Sequence, residues 1–139
     1  MGNESILSQE GDQNAMVVSV MGDANEVMVS QMQTGNAFLA DVTGSGNLIE
    51  AEQDSVQSAA EFVVEGDDNA LSLTQLGDGG PLGFFFNRSI NTVSGSGNTM
   101  SIYQGDGGNW ANNSIEGDDN SISVEQVGEW HESYVRDLT

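Results

Sequence analysis

The chain has 139 residues, no cysteine, and 22 acidic residues against two arginines and no lysine, for a net charge of −20. This is the length of one domain, and without cysteine it holds no disulfide framework and no thiolate metal site. Its acidity excludes nucleic acid and anionic lipid as partners, favours cations or a salty medium, and opposes self-association unless screened.

The N-terminal M-G-N-E-S has neither a basic segment nor an apolar one, so it shows no signal peptide and reads as a cytoplasmic or a mature form. No apolar run approaches the length of a membrane span, so no membrane insertion is expected. An internal repeat begins at once. Asn3, Asn14, Asn25, Asn36 and Asn47 are spaced by 11 residues, Ser58 takes the next step, and Asn69 follows. After an interruption the series resumes at Asn98, Asn109 and Asn120, and His131 closes it. Six residues after the markers stand Gln9, Val20, Gln31, Val42, Gln53, Val64 and Gln75, then Gln104, Ile115, Gln126 and Asp137. Glutamine alternates with a β-branched residue until the last step, so the true unit is 22 residues with two unlike arcs.

Within each arc the apolar residues fall two and four positions after the marker: Met16 and Val18, Val27 and Val29, Phe38 and Ala40, Leu71 and Leu73. That alternation predicts half-buried β-strands. G-D-Q-N, G-D-A-N, G-S-G-N and G-D-D-N separate them and read as turns. Strand and turn at a fixed period predict an all-β fold: a β-solenoid of six coils over residues 1–139, two 11-residue arcs per coil, in two facing sheets. Six coils at the inter-strand spacing make a rod about 29 Å long. The inward columns then form an amide ladder of Asn3, Gln9, Asn14, Asn25, Gln31, Asn36, Asn47, Gln53, Asn69, Gln75, Asn98, Gln104, Asn109, Asn120 and Gln126. The count breaks at Pro81–Asn87, read as an inserted loop, and Arg88–Ser94 reads as an arc one residue short.

The spacing Gln-x4-Asn-x5-Gln/Val, from Asn3 to Gln126, resembles the curlin repeat of bacterial curli fibre subunits, in which Ser-x5-Gln-x4-Asn-x5-Gln spans each unit. The resemblance implies an amyloid-like solenoid whose copies stack end to end into extracellular fibres of biofilm matrix, with a nucleator or export machinery as further partners. The chain departs from that pattern where Val20, Val42, Val64 and Ile115 replace glutamine, in the insertion, and in its acidity, which suits a salt-adapted organism.

Three features lie outside the repeat. The turns before the odd arcs alternate acidic and neutral: Asp23, then Ser45, then Asp67 with Asp68, then Ser96, then Asp118 with Asp119. They read either as a solvated edge with its repulsion spread out or as a calcium-binding edge; calcium is the only cofactor suggested and none is required. Phe84, Phe85 and Phe86 are too many for a thin core, so they cover the rod's own flank or contact another copy. Trp130, Tyr134 and Leu138 make the terminal arc over 128–139 atypical, as a cap or as an adhesive face for the next subunit; with the family in view, the adhesive face is favoured. His131 occupies a marker position and reads as a turn residue. No nucleophile–base set, zinc spacing or phosphate loop is present, so no enzyme is expected. The expected function is a fibre subunit; the alternative is a non-polymerising solenoid adhesin or calcium-binding surface module.

Overall fold

A computed structural model describes residues 2–77 and 86–138. The strands are β1 (Glu4–Gln9), β2 (Ala15–Met21), β3 (Glu26–Met32), β4 (Ala37–Thr43), β5 (Leu48–Ser55) and β6 (Ala59–Glu65). They continue as β7 (Ala70–Gly77), β8 (Arg88–Ser94), β9 (Thr99–Gly105), β10 (Trp110–Glu116), β11 (Ser121–Val127) and β12 (Glu132–Leu138). Odd strands form one six-stranded sheet in the order β1-β3-β5-β7-β9-β11, and even strands form the other, β2-β4-β6-β8-β10-β12. Every pairing is parallel. The fold is a β-solenoid of six coils with about 22 residues in each, as the repeat predicts.

Period-two alternation turns one face of each strand from β2 to β12 inward, whereas β1, at the end of the rod, is exposed along its length. Val27, Val29, Ile49, Leu71, Leu73, Met100 and Ile102 from one sheet meet Phe38, Val42, Phe62, Val64, Val93 and Ile115 from the other in a single buried core. Volumes compensate between coils: Phe38 lies over Ala60 and Phe62 over Ala40, with the two rings 5.8 Å apart. Large beside small keeps a thin core filled without strain.

The insertion needs correcting. Partners that are 22 residues apart elsewhere are 29 apart across it, as in Gln75↔Gln104, so it adds seven residues. Asn87 is not part of it. It is the missing marker: its Oδ1 accepts from the Asn109 backbone N–H at 3.1 Å, and its carbonyl accepts from Ala59 N–H at 2.9 Å. The β8 arc is therefore of full length. Phe84 and Phe85 lie outside the described residues; Phe86 is exposed beside Asn87.

Turns stack as closely as strands do. Gly44 N–H donates to Met21 O and Gly46 N–H to Asp23 O, both at 3.0 Å. Gly44 has φ +132°, and a Cβ there would run into the Gly66 carbonyl of the next coil. Gly44→Ala should therefore cost about 2 kcal/mol or more, whereas Ser45→Ala, which keeps the backbone N–H, stays within about 0.5 kcal/mol. Urea unfolding monitored by circular dichroism reads both; equal stabilities would contradict the close turn stacking.

Candidate functional site

Parallel pairing in register sets each inward side chain over its equivalent in the next coil, so polar residues must bond to their own kind. The glutamines do so along the whole rod. Gln9 Nε2 donates to Gln31 Oε1 at 2.6 Å, and Gln31→Gln53, Gln53→Gln75, Gln75→Gln104 and Gln104→Gln126 follow at 2.8 Å. Each interior Nε2 also donates across the core to the first carbonyl of an even strand, such as Ala37 O from Gln53 at 3.1 Å. One amide thus ties its own sheet coil to coil and also ties the two sheets together.

The odd-arc asparagines form a second column with the opposite sense. Asn47 donates both its backbone N–H and Nδ2 to Asn25 Oδ1 at 3.0 Å, and Nδ2 also reaches Gly66 O at 2.8 Å. Asn3, Asn25, Asn69 and Asn98 repeat this bond to the glycine carbonyl of the next coil, and Asn120 N–H donates to Asn98 Oδ1 at 2.9 Å. Glutamines donate toward the C-terminal end, whereas odd asparagines accept from that side. The rod is polar.

Even-arc markers form a third column: Asn14, Asn36, Ser58, Asn87, Asn109 and His131. Asn36 accepts the Ser58 N–H at 3.0 Å and the Ser55 hydroxyl at 3.1 Å, and Asn109 accepts the His131 N–H at 3.2 Å. His131 therefore serves as a stacking residue. A fourth polar group escaped the sequence reading. Ser89, Asn91 and Asn113 are buried on β8 and β10, Ser89 where other even arcs carry Met16, Phe38 and Ala60, and Asn91 and Asn113 where they carry Val18, Ala40 and Phe62. Asn113 Nδ2 donates to Asn91 Oδ1 at 3.0 Å, while Asn113 Oδ1, facing the last coil, has no partner. Counting two and four residues on from Asn87, and four on from Asn109, would have found them.

The acidic turns seat on the neutral ones. Asp67 Oδ1 accepts from Ser45 N–H and Asp118 Oδ1 from Ser96 N–H, each at 2.7 Å, while Asp68 and Asp119 carboxylates lie over Gly46 and Gly97, where a Cβ would collide. This explains why G-D-D-N alternates with G-S-G-N. Asp23 holds the equivalent position in the turn before β3, where its carbonyl accepts from Gly46 N–H at 3.0 Å. Among the described residues no three His, Cys, Asp or Glu side chains converge on one point.

The aromatic residues divide between a flank and an end. Phe86 and Trp130 belong to one turn column with Gly108 between them, and with Arg88, Trp110 and Glu132 they line a lateral groove of about 350 Å³. The Arg88 guanidinium lies 5.8 Å from the Trp110 ring centre. Tyr134 packs on Trp110 at 5.9 Å but is largely exposed on the outer face of β12.

Among the described residues, β1 and β2 at one end of the rod, and β11 and β12 at the other, each have one edge without a paired strand. Of the 11 exposed large apolar side chains among the described residues, eight lie in the first and last coils: Ile6, Leu7, Val17 and Met21, then Val127, Trp130, Tyr134 and Leu138.

No protein-family model matches this chain, and a search among curated proteins finds no relative.

Gln53→Leu tests the columns directly. It leaves a Gln31 proton and Gln75 Oε1 unpaired in the core and removes the bond to the Ala37 carbonyl that ties the two sheets together. The expected loss is about 3 kcal/mol or more in urea unfolding, since each orphaned group costs roughly 1–3 kcal/mol. Unchanged or increased stability would mean the column contributes nothing beyond filling space.

Proposed function

We propose that the chain is the structural subunit of an extracellular, curli-type amyloid-like fibre of a biofilm matrix or cell surface, and that it assembles by head-to-tail stacking of rods. The observation that carries this reading is the concentration of exposed apolar side chains in the first and last coils, beside four unpaired strand edges. A solenoid that ends on uncovered edges is a template for another strand pair.

Continuing the register by one coil makes the fit specific. Tyr134 would lie beside Val17 of the next copy and Leu138 beside its Met21, closing two exposed apolar pairs. Gln126 Nε2 would meet Gln9 Oε1 of the next copy in the sense already set by five bonds within the rod. Two N-terminal or two C-terminal faces would set donors against donors or acceptors against acceptors. The spacing that resembles the curlin repeat supports the same reading. The role is non-catalytic, the partner is a second copy, and the medium is one whose salt screens the −20 charge. One observation favours the second reading, a capped adhesin-like rod: the inward carboxylate of Asp137 in the last coil.

Negative-stain microscopy of the purified protein across ionic strength tests the reading. Unbranched filaments should appear, with a yield that rises between about 0.1 and 1 M salt as the Debye length falls from about 10 to 3 Å. Discrete rods at every ionic strength and concentration would leave the capped module instead.

A further inference from the structure

Among the described residues, the inward positions of the twelve strands are apolar, amide or hydroxyl with one exception. Asp137 of β12 pairs in register with Ile115 and stands in the column of Val20, Val42, Val64 and Val93. The other strand acids, such as Glu50, Glu61, Glu116 and Glu132, alternate to the outer faces. The exception falls at the last inward position of the last coil, where it is half-buried at an open edge.

In a single rod that carboxylate keeps access to water. A second copy stacked in register would set its Val20 on Asp137 and seal the charge between Val20 and Ile115. Neither arginine is placed to compensate. Arg136, next to it on β12, is exposed on the outer face, and Arg88 is also exposed on the outer face, two coils away on β8. A carboxylate enclosed without a counter-charge is costly, and an inward-pointing charge is one way in which edge strands are kept from pairing.

We propose that Asp137 weakens the C-terminal face toward a second copy and so sets the protein concentration above which rods stack, an inference that rests on the head-to-tail reading above. It acts differently from the net charge. Salt screens the exposed acids but not a carboxylate sealed between apolar side chains.

The test is the critical concentration for sedimentable filaments, measured on the full chain at about 0.1 and 1 M salt, conditions that separate screened from unscreened charge. Asp137→Val and Asp137→Asn are compared with wild type and with Glu132→Gln, an outward acid of the same strand. Melting by circular dichroism confirms that each variant is folded. The critical concentration of Asp137→Val should fall at least about tenfold at both salts, a change equivalent to about 1.4 kcal/mol. Asp137→Asn should move in the same direction. Glu132→Gln should change it less than about threefold, with the effect fading in salt. Filaments from Asp137→Val alone would support the inference in its strongest form, Asp137 acting as a complete block. If all four proteins form filaments and Asp137→Val behaves like Glu132→Gln, Asp137 sets nothing and head-to-tail stacking stands. If no folded variant assembles at any concentration, the inference and the stacking reading both fall.

Discussion

Parallel pairing in register is the constraint on which everything else in this molecule depends. Each side chain lies over its own equivalent about 4.8 Å away, so a column must be built of residues that tolerate themselves. Aliphatic side chains do. Carboxamides do better, since one group carries both donor and acceptor, and a glutamine or asparagine column can pair nearly all of its polar atoms. Carboxylates do not: two in water at that distance repel by roughly 1 kcal/mol. The chain nonetheless carries 22 acids, and it does so by staggering them. Asp54 is flanked by Met32 and Leu76, Glu61 by Leu39 and Ile90, and Glu65 by Thr43 and Ser94. Glu4 over Glu26, between the first and second coils, is the one directly stacked pair among the described strands.

That constraint also explains how much was legible in the sequence. A repeat that must match itself in space must match itself along the chain, so the 11-residue markers and the Gln/Val alternation announce coil number, strand limits and inward positions. The Asp/Ser turn alternation was visible too, but its cause was not. It takes the bond from Ser45 N–H to Asp67, and the space over Gly46, to show that one turn is the seat of the other. Legibility failed where the period was broken. The inserted residues hid Asn87 among loop residues, and without that marker Ser89 and Asn91 had no register from which to be read as buried. The donor sense of each column was beyond the sequence, because a carboxamide can point either way and its neighbours decide.

Polarity is what carries the structure from fold toward function. Glutamine and asparagine columns of opposite sense give the rod two unlike ends, and the exposed apolar residues gather at both. On the proposed reading, such a rod finds its complementary surface in its own copy. Against association stand the charge of the whole surface and one inward carboxylate. On the head-to-tail reading proposed above, the first depends on the medium and the second on one residue, so assembly would be open to control without any change within the rod.

Head-to-tail contact in the continued register is the central claim, and a disulfide tests it most directly because the native chain has no cysteine. In that register residue 138 of one copy pairs with residue 21 of the next, with Cα atoms about 4.8 Å apart, inside the range of about 4.4–6.8 Å that a disulfide spans. Within one rod the same two positions are five coils apart, about 24 Å, and cannot be joined. The double variant Met21→Cys with Leu138→Cys, oxidised under assembly conditions and run on a non-reducing gel, should give a ladder of covalent multimers, which neither single variant can form. Filaments whose double variant stays monomeric on the gel, or single variants that dimerise as readily, would contradict the register and with it the account of how these rods meet.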